Sequence, residues 1–440
     1  MKRDDRKSIF AWAMYDWANS AFATTVMAAF FPIFFKQFWS LGTDPVDSTA
    51  KLAMANSLAG IIIALSAPVL GAIADRGKAR KRFLLFFACL GCAATAGLSQ
   101  VARGDWPLAA ALYALAITGF LGGNIFYDAL LPVVASEKRM DMVSSLGYAL
   151  GYLGGGLLFA LNVWMTLKPA AFGLASTADA VQASFLSVGI WWAFFSLPLL
   201  LIVREPLDRR EISIASAIRG GLAQLGNTFR QIRKLKTIFL FLAAYWFYID
   251  GVNTIIVMAL DYGLSIGFKS TDLILALLVT QFIGFPSALA FGYFSGKTGT
   301  KAAIYLTIAV YLLLPCWGFF MNSRAEFYLL AMIIGLVQGG IQALSRSFYC
   351  RIIPADQPGE YFGFYNLVGK FAVVMGPLLI GGIGLWVRSL GYSSNFASRI
   401  GILSIAALFL LGGVLFYFVD EKKGKEELRH YLAGYQGSLF

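Results

Sequence analysis

The chain has 440 residues, of which 58% are hydrophobic and only 14% are charged, and its mean hydropathy is +0.70. Soluble proteins carry about 25% charged residues, so the composition excludes a large water-soluble protein and predicts one that crosses a membrane several times. The net charge of +12 does not indicate a nucleic-acid partner, because the basic residues cluster in loops between apolar runs.

A spanning helix needs about 20 apolar residues, and by that measure about 12 runs qualify. They cover residues 10–38, 53–74, 83–102, 107–133, 143–166 and 183–203, then 237–260, 273–295, 302–321, 326–350, 362–387 and 397–419. The sequence therefore predicts an all-α integral membrane protein with about 12 transmembrane helices. It divides into a six-helix half in residues 1–203, a linker in 204–236, a second six-helix half in 237–420 and a tail in 421–440.

The loops between these runs alternate in charge. Basic clusters lie in residues 2–7, 76–82, 138–139, 204–236, 297–301 and 422–429, whereas the intervening loops hold only scattered cations. Loops rich in Lys and Arg stay on the cytoplasmic side of a membrane. Both termini, the linker and the tail are therefore predicted to be cytoplasmic.

The first run contains YDWANSAF, residues 15–22, in which Asp16 and Asn19 share one helix face. A charged side chain at the centre of a spanning helix costs about 2.5–3.5 kcal/mol on insertion scales, and such residues usually face a cavity. We therefore predict that both residues line a substrate or proton pathway. The alternative is that Asp16 lies near the cytoplasmic end of its helix and pairs with a loop cation.

The loops after the second and eighth runs read GAIADRGKARKR and GYFSGKTGTK. Each opens on a glycine, which permits close helix contact and a positive φ, and each continues into a basic cluster. The pair resembles the loop signature of the major facilitator superfamily and its weaker second-half copy. The matching residues are Gly71, Asp75, Arg76 and Arg80 in the first loop, and Gly292, Lys297, Gly299 and Lys301 in the second.

The two loops also depart from that signature. The second glycine falls one place early, at Gly77, and Ala79 replaces a basic residue. In the second loop, Gly296 stands where the aspartate would be. The resemblance implies that both loops gate the cytoplasmic side and do not contact substrate.

The fourth run ends in FYDALLP, which places Asp128 near its cytoplasmic end. In the fold that the loop signature implies, Arg76 and Arg80 should lie close by. We predict a gating charge pair between Asp128 and these cations. Proton coupling at Asp128 is the alternative.

The seventh run contains YIDGVNTII, residues 248–256, in which Asp250 and Asn253 repeat the spacing of Asp16 and Asn19. Transporters built from two repeats bind substrate near the midplane between them. The two polar faces are therefore predicted to look into one central cavity, with Asp16 and Asp250 as the candidate proton carriers. A rival alignment, of TTVMA with IIVMA, breaks this polar register.

The tenth and eleventh runs carry polar stripes. Gln338, Gln342 and Arg346 are spaced i, i+4, i+8, and Asn366 and Lys370 are spaced i, i+4. Buried cations need partners, and the aspartates of the first and seventh runs, or a substrate carboxylate, would supply them. We predict that all five residues line the pathway. A static internal salt bridge explains the same pattern.

Four segments together resemble the vacuole effluxer-like branch of the superfamily, which is named for its fungal autophagy-related members. They are YDWANSAFATTV, DGVNT, FYDALLP and SSLGYALGYLGGG. The resemblance implies secondary active transport by alternating access and export of amino acids or similar small metabolites. The short loops favour a bacterial protein in the inner membrane over a fungal one in the vacuolar membrane. The alternatives are multidrug or organic-anion efflux and a receptor on the same fold.

Several chemistries are disfavoured. The chain has no G-x-x-x-x-G-K-[ST] loop, and its one histidine, His430, lies in the polar tail, which argues against ATP-driven transport and membrane-embedded enzyme chemistry. Cys89 and Cys92 have no second pair of metal ligands nearby. We predict a monomeric, non-enzymatic protein without cofactor or metal, whose partners are the bilayer, a small-molecule substrate and, if transport is coupled, protons.

Overall fold

The computed structural model describes residues 3–41, 45–77, 79–205, 230–232, 234–265, 270–371 and 375–437, and within these ranges the chain is almost entirely helical. The predicted linker 204–236 falls mostly outside them. The helices are α1 (Arg6–Trp39), α2 (Pro45–Arg76), α3 (Arg80–Gly97), α4 (Trp106–Val134), α5 (Met140–Leu167), α6 (Thr177–Ile202), α7 (Lys236–Ser265), α8 (Ser270–Thr298), α9 (Thr300–Phe320), α10 (Arg324–Ile352), α11 (Pro358–Phe371), α12 (Met375–Ser389), α13 (Ser394–Ser404), α14 (Ala406–Tyr417) and α15 (Glu421–Gly437).

Ten helical stretches in the described ranges are long and apolar enough to cross a membrane. They match every predicted span except the second and the eleventh. Helix α2 covers the second, and α11 and α12 together cover the eleventh. Large apolar side chains such as Leu313 and Phe194, 66% and 63% exposed, lie on the outside of the bundle, where lipid tails would solvate them. The predicted total of spans and the cytoplasmic location of the termini remain predictions.

Local sequence explains where several helices begin. Asp5 accepts a hydrogen bond from the Ser8 N–H at 2.9 Å and caps α1. Ser323 and Glu326 form a capping box at the start of α10. Within α1 the hydrogen bonding becomes π-helical from Phe22 to Phe30. Such segments widen a helix and are frequent near functional sites, and this one begins three residues after Asn19.

The helices pack as two halves with an interface between them. In the first half α1 packs on α5 and α6, and α3 packs on α4 and α6; in the second half α7 packs on α14 and α8 on α10. Across the interface α5 packs on α8 and α10, and α2 packs on α11. The end of α2, the start of α3, the loop 298–300, the end of α10 and the start of α15 lie at one end of the bundle, which we call the basic end.

Candidate functional site

Arg346 lies between the two halves, and its side chain is only 2% exposed. Its Nη1 atom donates a hydrogen bond to Asp128 Oδ1 at 3.0 Å and lies 3.6 Å from Asp16 Oδ2. Its Nε and Nη2 atoms donate to the hydroxyl and carbonyl oxygens of Ser144, at 2.9 and 2.8 Å. Arg346 belongs to α10 in the second half, whereas these partners belong to α1, α4 and α5 in the first. The guanidinium therefore joins the two halves.

Three aromatic rings surround the same guanidinium. Its central carbon lies 5.0 Å from the Trp12 ring centre, 5.3 Å from that of Tyr127 and 4.4 Å from that of Tyr148, within the range of cation–π attraction. The Tyr127 hydroxyl also donates to Asp16 Oδ2 at 2.8 Å. We call these rings, Arg346, Ser144 and the two aspartates the arginine cluster. Sequence reasoning missed its aromatic members and Ser144; the available signal is that Tyr127 adjoins Asp128 and that Trp12 and Asp16 share a helix face.

The arginine cluster contains one cation and two carboxylates. Asp16 and Asp128 are 9% and 7% exposed, so each depends on Arg346 and on hydrogen bonds for compensation of its charge. When both are ionised, the cluster carries one net negative charge, which leaves one carboxylate available to take up a proton. Separation of α10 from the first half would remove the counter-ion from both aspartates at once. The cluster is therefore sensitive to the relative position of the halves.

The predicted pairing of Asp128 with the loop cations is wrong. Asp128 instead pairs with Arg346, because its side chain points into the interface between the halves. Arg80 is held at the start of α3, where its Nε atom donates to Asp75 Oδ1 at 2.6 Å and lies 3.9 Å from Glu205. Arg76 is exposed at the end of α2.

Some residues of the polar stripes of α10 and α11 contact the arginine cluster, and others lie apart from it. Asn366 Nδ2 lies 3.4 Å from Asp128 Oδ2 and donates to the Phe362 carbonyl at 2.9 Å. Gln342 is half-buried, and its Oε1 accepts from the Tyr152 hydroxyl at 3.5 Å. Gln338, one turn away, is also half-buried. The Lys370 side chain lies outside the described residues.

The polar pair of α7 has a different environment from that of α1. Asp250 accepts hydrogen bonds from the backbone N–H groups of Met375 and Gly376, each at 3.1 Å, and from the Thr254 hydroxyl at 3.1 Å. Its carboxylate therefore joins α7 to the first described turn of α12, within the second half. Asn253 is half-buried.

In the first half, Asn19 is buried, and its Nδ2 donates to Asn124 Oδ1 on α4 at 2.6 Å. The partner of Asn19 thus belongs to its own half, as do the partners of Asp250. The predicted convergence of both polar pairs on one cavity remains a prediction.

At the basic end, Asp75 bridges the halves. Its carboxylate accepts from the backbone N–H groups of Gly359 and Glu360, at 3.0 and 2.8 Å, as well as from Arg80. Those N–H groups open α11, so the carboxylate of α2 lies at the positive end of a helix from the other half. Gly71 makes this approach possible, because a Cβ there would overlap the Gly359 carbonyl.

At the second loop, a different aspartate connects the two halves. Gly296 supplies no carboxylate, but Asp141, in the first turn of α5, accepts from the Thr300 hydroxyl at 2.7 Å and pairs with Arg351 at the end of α10. Gly292 lies against α5, where an added Cβ would come 2.7 Å from the Ser145 Cβ. Sequence reasoning missed Asp141 and Arg351. The available signal is that Asp141 lies in the first turn of α5 and Arg351 in the last turn of α10.

The remaining residues of the second loop shape the turn from α8 to α9. Gly299 is the N-cap of α9. Its φ of +89° is a backbone conformation that favours glycine. Lys301 Nζ donates to the carbonyls of Tyr417 and Val419 at 2.8 and 2.6 Å, which caps the C-terminus of α14. Lys297 lies over the Tyr293 ring, 4.6 Å from its centre. These cations stabilise helix ends at the basic end.

Helix α15, in the predicted tail, also crosses between the halves. Lys425 pairs with Glu137 of the first half. Glu421 lies 3.7 Å from Arg351, and Glu427 accepts from the Thr237 N–H at 3.0 Å, both in the second half. Together with the contacts of Asp75 and Asp141, these pairs hold the halves together at the basic end. Among the described residues, no group of three or more His, Cys, Asp or Glu is placed to hold a metal ion.

Comparisons with known proteins identify the family of the chain. The family model described as "Vacuole effluxer Atg22 like" matches residues 40–429. The chain is 37% identical over 415 residues to "Uncharacterized MFS-type transporter YxiO" of Bacillus subtilis, with 94% of each chain covered. It is 24% identical over 505 residues to "Autophagy-related protein 22" of Saccharomyces cerevisiae, with 96% of this chain and 93% of that protein covered.

Solved structures show the same fold. The human organic anion transporter MFSD10 (TETRAN) superposes with a TM-score of 0.72 at 15% identity, over 94% of this chain and 100% of that one. FucP, a major facilitator superfamily transporter in the outward conformation, gives 0.69 at 13% identity over the same shares. The protein is therefore an integral membrane carrier with the major facilitator fold. It belongs to the vacuole effluxer Atg22-like family of this superfamily.

Proposed function

We propose that the protein is a secondary active transporter that exports amino acids or similar small metabolites by alternating access, with the arginine cluster as its proton-coupled gate. Membership of a family of major facilitator carriers supports transmembrane transport. The resemblance to vacuole effluxers supports amino acids as cargo and export as direction.

The observation that carries the proposal is the insertion of Arg346 of α10 between Asp16 and Asp128 of the first half. Alternating access requires contacts that form in one state and break in the other. A buried guanidinium that neutralises carboxylates of the opposite half meets this requirement, because rocking of the halves would expose both charges. The excess carboxylate supports coupling, since an aspartate separated from Arg346 would bind a proton more readily.

Asp16 and Asp128 are the stronger candidates for coupling, and Asp250 is the weaker one. The carboxylate of Asp250 is bonded within its own half to Met375, Gly376 and Thr254, so rocking of the halves would not change its partners. Asp75, Asp141 and α15 act in this proposal as the lock of the basic end, which we place on the cytoplasmic side because positive loops stay there.

Counterflow in liposomes tests the proposal. Purified protein is reconstituted, and uptake of a mixed pool of labelled amino acids is measured with and without an imposed pH gradient. Protein-free liposomes and the variant Arg388→Ala, which alters an exposed arginine of α12, serve as controls. We expect accumulation of a subset of the pool, enhanced by the gradient in the direction that drives proton exchange.

If folded, inserted protein accumulates no amino acid, the proposal that amino acids are the cargo is overturned. Drugs, sugars and organic anions would then be tested in the same assay. Binding of a solute without any net movement would favour a receptor. Accumulation that does not respond to the pH gradient would retain transport and remove proton coupling.

A further inference from the structure

The walls around Arg346 form a pocket that belongs almost entirely to the first half. We infer that this pocket binds the cationic group of the transported solute, an ammonium or guanidinium, once Arg346 withdraws. While the halves are together, the Arg346 side chain occupies the place of that solute cation. This inference rests on the proposed transport function and specifies its substrate class as cationic amino acids and related amines.

Trp12, Tyr127 and Asp16 hold one another in place without help from Arg346. Trp12 Nε1 donates to the Tyr127 carbonyl at 3.0 Å, and the two rings stack with their centres 4.4 Å apart. The Tyr127 hydroxyl fixes Asp16. Trp12 and Tyr127 are 0% and 1% exposed, so close packing within the first half restrains both. The pocket should therefore keep its shape when α10 moves away.

The chemistry of the pocket selects a cation with N–H donors. It presents carboxylate oxygens from Asp16 and Asp128, the Ser144 carbonyl and the faces of three rings. Carboxylates and carbonyls accept hydrogen bonds, and aromatic faces attract ammonium and guanidinium groups. An anion in the same place would meet two like charges. The native occupant, a guanidinium, shows that the dimensions suit such a group.

The origin of Arg346 makes its occupancy conditional. It reaches the pocket from α10 of the second half, so it fills the pocket only while the halves are together at the basic end. When they part, Asp16 and Asp128 lose their counter-ion, and a solute cation would replace it. Gly147 keeps the pocket open, because a Cβ there would come 2.6 Å from the Tyr127 hydroxyl and 2.8 Å from Asp16 Oδ2.

Chemical rescue tests the pocket independently of transport. The full-length variant Arg346→Ala is purified, and its Tm is measured with methylguanidinium chloride at low millimolar concentration. Methylurea, which is neutral and of similar shape, and sodium chloride at matched ionic strength are the comparison solutes. The protein controls are the wild type, whose pocket is filled, Arg388→Ala, which alters an exposed arginine, and Arg346→Ala combined with Asp128→Asn, which removes a wall charge.

We expect methylguanidinium to raise the Tm of Arg346→Ala by about 2–4 °C. It should leave the wild type, Arg388→Ala and the double variant unchanged, and methylurea should have no effect. Absence of a specific rise in folded Arg346→Ala, or an equal rise in the double variant, would overturn the inference.

A second measurement on the wild type covers the case in which Arg346→Ala does not fold. Labelled arginine, agmatine, leucine and glutamate are compared in counterflow, and unlabelled agmatine is used as competitor. The inference is supported if arginine is transported and if agmatine inhibits this transport at least about tenfold more strongly than unlabelled glutamate inhibits it. Transport of leucine alone, unaffected by agmatine, keeps the proposed function and overturns the cation pocket. Chemical rescue without any amino-acid transport keeps the pocket and overturns the proposed function.

Discussion

Asp16 and Asp250 are matched by the predicted alignment of the two repeats, yet their carboxylates have partners of different kinds. Asp16 faces a guanidinium from the opposite half and a tyrosine hydroxyl from its own. Asp250 accepts two backbone N–H groups and a hydroxyl, all from the second half. One aspartate therefore depends on how the halves meet, and the other joins two helices within one of them.

The difference shows how a repeated motif can serve two purposes. The backbone N–H groups that Asp250 accepts belong to the first described residues of α12, so its carboxylate compensates polar groups of its own half. The first half uses its aspartate to hold a charge from the other half. We infer that divergence of the repeats assigns gating to α1 and helix positioning to α7.

The largest expected effect comes from neutralising Asp16, and the same change at Asp250 is its comparison. Asp16→Asn should reduce proton-driven flux by about tenfold or more, since a hydrogen bond to a charged group contributes about 1.5–3 kcal/mol. Asp250→Asn should leave the flux within about twofold, because an asparagine oxygen also accepts hydrogen bonds from backbone N–H groups. The measurement is gradient-driven uptake in proteoliposomes with matched protein content. Equal losses in the two variants would erase the distinction.

A smaller effect is expected from crowding the Asp16 side of the comparison. Gly147→Ala places a methyl group against Tyr127 and Asp16, and overpacking of this kind costs about 1–3 kcal/mol. Tm and flux should both fall. Gly382→Ala is the matched control, because nothing lies within 4 Å of its added Cβ. A Gly147→Ala protein as stable and active as this control would show that the cluster tolerates displacement.

The Asp250 side is tested by stability. Asp250→Ala leaves the N–H groups of Met375 and Gly376 without their acceptor and should lower the free energy of unfolding by about 1–2 kcal/mol. Asp250→Asn should restore most of it. Thermal unfolding of both variants in one detergent measures the difference. Full stability of Asp250→Ala would mean that α12 does not depend on these hydrogen bonds.

The smallest effect concerns the α15 contact with the first half. Lys425→Ala should weaken closure of the basic end by about 0.2–1 kcal/mol, and less at high salt, because the pair with Glu137 is partly exposed. Lys422→Ala, which alters an exposed lysine of the same helix, is the control. Tm at low and high salt measures both. An effect as large as that of Gly147→Ala would place the main lock at α15 instead of the arginine cluster.

The same contact has a defined pH dependence. Partial burial lowers the pKa of Lys425, but hydrogen bonds to Glu137 and Glu421 outweigh it and raise the pKa above its usual value. A raised lysine pKa stabilises the folded state fully below the unfolded pKa of about 10.4. The contribution is lost as the pH rises through the raised value. The difference in Tm between wild type and Lys425→Ala should therefore persist at neutral pH and vanish in strong alkali.

Sequence patterns predicted the helices well, because apolar length and loop charge are local properties. The predicted span 326–350 coincides with α10, and the polar stripe of that run contained Arg346. The partner of Asp128 was predicted wrongly. The family resemblance placed Arg80 near Asp128, but in the structure Arg80 donates its hydrogen bond to Asp75. Asp141 was missed, because its partners Thr300 and Arg351 are distant in sequence and the signature's aspartate position holds Gly296.

By itself the sequence determined an all-helical membrane protein with charged residues inside its spans, since a bilayer imposes length and polarity on each segment separately. Its division into two related halves is a prediction from the same sequence. Only the tertiary structure decided which charges meet. The sequence offered Asp16, Asp250 or a substrate carboxylate as the partner of Arg346, and the packing of α10 against α5 brings it to Asp16 and Asp128. Ion pairing depends on distances of a few ångströms between segments remote in the chain, and these distances are fixed only by how the helices pack.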